Sequence, residues 1–75
     1  MKELVEHVVK SIVIYPDKVS VTSEDTEAGL LLTLEVAPED MGRVIGKQGR
    51  TVEAIRTLLR VKAAREQVRV RLQVQ

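Results

Sequence analysis

The spacing of the apolar residues changes three times along these 75 residues, and each change marks a different kind of backbone. Near the N-terminus the apolar residues recur at helical intervals, which predicts a helix from about Lys2 to Ile14. Pro16 has no amide hydrogen with which to continue that helix. After Lys18 the segment "VSVTS" alternates apolar and polar residues and is rich in β-branched side chains, which predicts a strand.

A second strand is predicted for "LLLTLEV", where four apolar residues share one face: Leu30, Leu32, Leu34 and Val36. The segment "SEDTEAG" between the strands predicts a turn or short loop, and Gly29 suits the positive φ of a hairpin. The two strands should therefore be antiparallel. Pro38 favours the start of a short helix that runs into Gly46, with Glu39 and Asp40 at the positive end of its dipole.

The last part of the chain reads as a helix followed by a strand. Beyond Gly49, helical spacing predicts a helix to about Arg65, with an apolar face made of Val52, Ile55, Leu58, Leu59 and Ala63. The segment "VRVRLQV" alternates throughout, which predicts a strand with these residues facing inward: Val68, Val70, Leu72 and Val74. The element order is α-β-β-α-α-β, and at this length we expect one α+β domain over residues 1–75.

The composition excludes several kinds of chemistry. Tyr15 is the only aromatic residue, so the core must consist of Val, Ile, Leu and Ala, and no row of rings is available for stacking. The absence of cysteine and the single histidine, His7, leave no material for a thiolate metal site or a nucleophile and base pair. We therefore expect a cytoplasmic protein that is not an enzyme and has no metal, cofactor or small-molecule substrate. The apolar runs are too short to enter a membrane, so no membrane partner is expected.

The charges of the chain are divided between its two halves. Residues 1–40 hold three basic and nine acidic side chains, a balance of −6. Residues 41–75 hold nine basic and two acidic side chains, a balance of +7. Such asymmetry favours a polyanionic partner, although folding can bring the two halves together in space.

The stretch "VIGKQGR" lies at the start of the basic half and contains a Gly-x-x-Gly loop, Gly46–Gly49. Glycine removes the Cβ that would hold a backbone away from a phosphate chain, and the start of a following helix offers unpaired amides and partial positive charge. Lys47 adds a mobile cation and Gln48 adds hydrogen-bonding groups. Arginines extend the positive field on either side: Arg43, Arg50 and Arg56. The pattern favours recognition of a sugar-phosphate backbone by close approach.

Other glycine motifs fit less well. A phosphate-binding P-loop needs four residues between its glycines and then Lys with Ser or Thr, whereas Gly42 and Gly46 enclose three residues and Lys47 precedes Gln48. A dinucleotide-binding fingerprint needs Gly-x-Gly, which is absent. Taken alone, the Gly-x-x-Gly spacing is also compatible with an ordinary tight turn between two helices.

The surrounding residues resemble those of a known family. The pattern in "IGKQGRTV", with Ile45 and Val52 on either side of the loop, is similar to that of KH domains, whose Gly-x-x-Gly loop grips a nucleic-acid backbone. The element order resembles the type II KH fold, which implies a three-stranded sheet with three helices packed on one face. The segments "MKELVEHVVKSIV", "VAPEDMGRVIGKQGRT" and "AIRTLLR" together resemble the small single-domain bacterial KhpA family.

That resemblance implies a cytoplasmic protein that binds single-stranded RNA, as an RNA chaperone or post-transcriptional regulator. It also implies a homodimer, or a complex with a second KH-containing protein of the KhpB type. The loop that grips RNA would be Gly46, Lys47, Gln48 and Gly49, beside a groove for about four unstacked nucleotides. Candidates for its aliphatic floor are Val44, Ile45, Val52 and Ile55. One strand edge would contact bases.

Two questions stay open at the level of sequence. Arg69 and Arg71 face outward on the last strand, where they could form a solvated surface or contact RNA. The chain could also be a protein-interaction or dimerisation module that has the KH fold and little intrinsic affinity for RNA.

Overall fold

The computed structural model describes residues 1–75 and contains three α-helices and three strands in the predicted order. The helices are α1 (Lys2–Ile12), α2 (Met41–Ile45) and α3 (Arg50–Arg65). The strands are β1 (Ser20–Thr26), β2 (Gly29–Glu35) and β3 (Val70–Val74). Three short 3₁₀ turns lie between them, at Pro16–Lys18, Pro38–Asp40 and Lys47–Gly49.

The first helix is shorter than its apolar pattern predicts. It ends at Ile12, and Val13 is already extended, with φ −95° and ψ 161°. The amides of Ile14 and Tyr15 donate to the two carboxylate oxygens of Asp40, both at 2.9 Å, and not to helical carbonyls. The prediction that the helix reaches Ile14 is therefore wrong, because a residue far along the chain supplies better-placed acceptors.

The hairpin between β1 and β2 is tighter than predicted. The two strands pair antiparallel over seven positions, from Ser20↔Glu35 to Thr26↔Gly29. Only Glu27 and Ala28 form the turn, so the prediction of a loop across all of "SEDTEAG" is wrong. Only Val21 of β1 is buried, and the polar residues that follow continue the strand beyond the core. Backbone pairing with β2 and the positive φ of Gly29, 125°, hold this outer part of the hairpin.

The sheet has the order β1-β2-β3, with β3 parallel to β2 from Leu30↔Val70 to Leu34↔Val74. Both β1 and β3 are edge strands. Alternate residues of β2 face the helices, and Leu32 and Leu34 are fully buried there. Three helices cover this one face, as predicted.

One apolar core joins the helices to the sheet. It consists of ten buried residues, contributed by all three helices and all three strands: Val5, Val9, Val21, Leu32, Leu34, Val44, Val52, Ile55, Leu59 and Leu72. Ala37 and Ala63 are also buried. The stripe of α1 enters this core as predicted, through Val5 and Val9.

Two predicted core residues are exposed. Leu58 is 49% exposed because it lies at the margin of the buried face of α3, about 100° around the helix from its neighbour Leu59. Val68 is 46% exposed because β3 begins only at Val70. Val68 closes the end of α3, where its amide donates to Ala63 O at 3.0 Å and the Gln67 amide donates to Ala64 O at 3.2 Å. Gln67, with φ 58°, takes the left-handed position of this Schellman cap.

None of the helices combines the length and the apolar character that a membrane crossing requires.

Candidate nucleic-acid interface

The Gly-x-x-Gly loop forms a sharp corner between α2 and α3. The Gly46 amide closes α2 by donating to Gly42 O at 2.8 Å, and the Gly49 amide donates to Gly46 O at 3.1 Å. Three of the four loop residues have positive φ: Gly46 at 76°, Gln48 at 57° and Gly49 at 74°. Such a sequence of backbone angles is accessible mainly because two of the three residues are glycines.

The two glycines have different surroundings. A Cβ on Gly46 would collide with the side chain of Thr51 and lie 2.8 Å from the Thr51 amide nitrogen. A Cβ on Gly49 would meet nothing within 4 Å. Gly46 is therefore packed against the first turn of α3, while Gly49 leaves an open surface.

The tip of the loop offers free hydrogen-bond donors. No turn, loop or cap hydrogen bond uses the amides of Lys47 and Gln48, and both residues are exposed. The Lys47 and Arg50 side chains form no salt bridge. Arg50 makes only a long contact, from Nη2 to Gln48 Oε1 at 3.5 Å. Two amides and two unpaired cations therefore face solvent together, which suits an anion.

Arg43 lies one helical turn before the loop and is partly held. Its Nε is 3.8 Å from Asp40 Oδ1, and about half of its side chain is exposed. Asp40 is fully buried and accepts from the Ile14 and Tyr15 amides, so it anchors the start of α2 to the segment after α1. The sequence indicated only a dipole interaction for Asp40. Its two donors lie 26 and 25 residues away, and no local pattern identifies them.

Most of the aliphatic candidates lie inside the protein. Val44 is 0% exposed, Val52 5% and Ile55 3%, and all three belong to the core. Ile45 is half-buried and packs against that core. Of the four, Ile45 offers the most surface to a ligand, and an aliphatic floor for RNA stays a prediction.

A groove of about 400 Å³ lies between α3 and the edge strand β3. Arg56 crosses it: Nη1 contacts Glu53 Oε1 at 3.0 Å, and Nη2 donates to Leu72 O at 3.3 Å. The other lining residues are Leu59, Arg60, Val70 and Arg71. Sequence reasoning named Arg56 and missed Glu53, Arg60 and the place of Arg71 beside the groove, since these depend on how β3 lies against α3.

The outer edge of β3 carries backbone groups that the sheet does not use. Leu30 donates to Arg69 O and Gln75 donates to Leu34 O, both at 2.9 Å. The residues Arg69, Arg71, Gln73 and Gln75 therefore point their amides and carbonyls toward β2. Because direction alternates along a strand, the intervening residues Val70, Leu72 and Val74 point theirs toward the groove side.

The remaining ionisable groups place no other chemistry at this site. No cluster of three or more His, Asp or Glu side chains is arranged to hold a metal ion. A backbone hydrogen bond and the N-terminal ammonium lower the pKa of Glu3, which lies on α1 away from the loop. What the site presents is an open corner with amides and cations, and a groove further along α3 beside a strand edge.

The family model for the KH domain of KhpA and KhpB matches residues 2–74. The chain belongs to this KH family. The RNA-binding protein KhpA of Clostridium acetobutylicum is 49% identical over 74 residues, which is 99% of each chain. The RNA-binding protein KhpA of Halalkalibacterium halodurans is 46% identical over 74 residues, 99% of this chain and 97% of the relative. That of Leifsonia xyli subsp. xyli is 50% identical over 64 residues, 85% of this chain and 84% of the relative. No solved structure showed significant similarity to the chain.

Membership of the KhpA/KhpB family and the α+β fold with three strands and three helices are thus confirmed. Family and fold do not identify the residues of this KH domain that contact a ligand. The structure brings Lys47, Gln48 and Arg50 together at the corner and places Arg43 one turn away. It places Arg56 in the groove, two turns further along α3. Arg69 and Arg71 are exposed.

Proposed function

We propose that this KH domain, residues 1–75, binds single-stranded RNA through its Gly-x-x-Gly loop. The observation that carries the proposal is the exposed tip of the loop, Lys47 and Gln48, whose amides make no turn, loop or cap hydrogen bond and lie beside two unpaired cations. The relatives are named RNA-binding proteins, which supports the same function.

The chemistry of binding follows from this arrangement. A phosphate oxygen accepts from the loop amides, and Gly49 lets the sugar-phosphate chain approach because it has no Cβ and the space that a Cβ would take is open. Lys47 and Arg50 neutralise phosphate charge, and Arg43 adds to the field. With the backbone held there, about four nucleotides can extend along α3, with their bases toward the β3 edge.

A single grip of this size is weak, so we propose that the protein acts as a homodimer or with a second KH-containing protein of the KhpB type. Two linked grips raise the overall affinity without new contacts. In this role the protein is a cytoplasmic RNA chaperone or post-transcriptional regulator and not an enzyme.

The first test changes Lys47 and Gln48 together to Asp. Two carboxylates at the corner should repel phosphate and lower the affinity for single-stranded RNA at least about tenfold, with the fold intact because both side chains face solvent. Fluorescence anisotropy with a short labelled RNA measures the affinity, and circular dichroism checks the fold.

The matched control changes Lys10 and Gln75 to Asp, which makes the same change of net charge at exposed positions outside the loop. It should weaken binding only slightly. If the loop variant is folded and binds RNA as tightly as the control, the loop is not the binding site. Binding by the unchanged protein should also weaken as salt rises, because phosphate contacts release counterions.

A second candidate function, a protein-interaction or dimerisation module, is favoured by the outer face of α3. Leu58 is 49% exposed and Val61 is 53% exposed, one helical turn apart on that face. Leu58→Glu should convert a dimer to a monomer in sedimentation velocity, whereas Ser11→Glu, at an exposed position of α1, should not. An unchanged dimer in the Leu58 variant would exclude this face as the interface.

A further inference from the structure

We infer that Arg56 sets a base preference in the groove: by covering the Leu72 carbonyl it replaces an acceptor with donors, and this selects guanine over adenine and cytosine. The inference rests on the proposed RNA binding. It assigns to Arg56 a role different from that of the loop cations.

The argument begins with the backbone of Leu72. Its amide and carbonyl point away from β2, toward the groove, as the β2–β3 hydrogen-bond pattern requires. An uncovered amide and carbonyl side by side form a donor next to an acceptor. That pair complements the Watson–Crick edges of adenine and cytosine, which place a ring-nitrogen acceptor beside an amino donor.

Arg56 changes this pattern. Its Nη2 donates to the Leu72 carbonyl at 3.3 Å, so the guanidinium occupies one of the two lone pairs of this acceptor. Its Nη1 is fixed by Glu53 Oε1 at 3.0 Å, so the guanidinium is held at two points, and 35% of the side chain is exposed. A guanidinium has five N–H donors, and these two contacts leave about three of them free. At this position the free guanidinium N–H groups join the Leu72 amide as donors, while the arginines engage the Glu53 carboxylate, and guanine supplies two adjacent acceptors, O6 and N7.

The charge around Arg56 argues for a base and against a phosphate. The carboxylate of Glu53 compensates the guanidinium and also lies 3.9 Å from Arg60 Nη2. A phosphate placed here would meet that carboxylate as well as the arginines. Lys47 and Arg50, by contrast, have no acidic partner. The loop is therefore suited to the backbone of the RNA and the groove to an uncharged base.

The distances are compatible with one continuous ligand. Arg56 follows Gly49 by seven residues of helix, a rise of about 10 Å, which is within the reach of the roughly four nucleotides that a KH loop orders. The groove volume of about 400 Å³ lies within the range of small-ligand pockets, so a single base fits.

The test uses short RNAs that are uridine except at one central position, which is guanine, adenine, cytosine or 7-deazaguanine. We expect the unchanged protein to bind the guanine RNA about tenfold more tightly than the adenine or cytosine RNA. We expect 7-deazaguanine, which lacks the N7 acceptor, to lose most of that advantage. This comparison needs no variant and so does not depend on how substitutions affect folding.

Two variants then locate the preference. Arg56→Met keeps the length of the side chain and removes its donors, so it should bind guanine about tenfold less tightly while its affinity for adenine is unchanged or higher, because the Leu72 carbonyl is exposed. Arg60→Met, a matched arginine on the same helix and groove, should weaken binding to all four RNAs by the same factor.

The outcomes separate the two proposals. Equal affinities of the unchanged protein for the four RNAs would overturn the role of Arg56 and leave the proposed function standing. A guanine preference that persists in a folded Arg56→Met variant would likewise overturn the role of Arg56 and leave the proposed function standing. No binding of any of the four RNAs would overturn the proposed function and this inference with it.

Discussion

The hairpin turn between β1 and β2 and the Gly-x-x-Gly loop both reverse the chain with the help of glycine, but they leave different surfaces. A Cβ on Gly29 of the hairpin would lie 2.7 Å from Arg69 O and 2.8 Å from Arg69 Cβ. That glycine is packed against the segment before β3. Gly49 of the loop has no neighbour within 4 Å of the same position. Glycine in the hairpin permits close packing of the backbone against Arg69, and glycine at the end of the loop leaves the backbone accessible to a ligand.

The charges at the two turns differ in the same way. The hairpin carries Glu24, Asp25 and Glu27, and a hollow of about 490 Å³ beside it is lined by three carboxylates, Asp25, Glu27 and Glu66, and one cation, Arg69. Carboxylates at this density repel phosphate. The loop has Lys47 and Arg50 without acidic partners. An exposed backbone and unpaired cations therefore occur together at the loop. A glycine with positive φ does not by itself indicate a binding site, because the hairpin has one as well.

The largest effect on stability should come from glycines that have no room for a side chain. Gly46→Ala combines φ 76° with a collision against Thr51, so we expect it to lower the free energy of unfolding by about 2–4 kcal/mol. Gly29→Ala, with φ 125° and the contact with Arg69, should lower it by about 2 kcal/mol. Urea denaturation measures both. A loss below about 0.5 kcal/mol in either variant would contradict the packed environment described for that glycine.

Gly49→Ala should reduce the access of RNA to the loop backbone with only a small effect on protein stability. Its φ of 74° costs about 1 kcal/mol with a Cβ present, and no clash adds to this. The affinity for RNA should nevertheless fall about fivefold, because the new methyl group lies where the phosphate chain approaches. Gly29→Ala is the control, since its folded fraction should bind RNA normally. If the two variants bind RNA with the same affinity, the difference between the two turns does not affect RNA binding.

The smallest effect is expected for Gly42→Ala. Gly42 lies in α2 and is exposed, and a Cβ added to it would meet no atom within 4 Å. Alanine should raise the free energy of unfolding by about 0.5–1 kcal/mol through its helix propensity. RNA affinity should not change. A decrease like that of Gly49→Ala would show that the RNA also passes over α2 and would extend the accessible surface beyond the loop.

The order of helices and strands could be predicted because hydrophobic periodicity reports which face of each element is buried. The errors lie where a contact distant in sequence decides the outcome. Asp40 ends α1 before Ile14, and the Schellman cap at Gln67 delays β3 and leaves Val68 exposed. The outer half of β1 has no buried face, so it carries no alternation by which a strand could be recognised.

The candidate site was predictable to a similar degree. The Gly-x-x-Gly loop and its cations follow from the motif and from local charge. The contact from Arg56 to the Leu72 carbonyl does not, because it depends on the register of β3 and on its place at the edge of the sheet. The same reason explains why Val44, Val52 and Ile55 could not be assigned to core or groove from their spacing alone.

The anchoring carboxylate of Asp40 has a consequence for work with fragments. A shortened protein that starts at Ser20 would keep every residue of the loop and the groove. It would also lose both amides that bind Asp40 and two buried residues of the core, Val5 and Val9, so α2 would lose its fixed orientation. Loss of RNA binding in such a truncation would report this damage to the fold and would not map the nucleotide contacts.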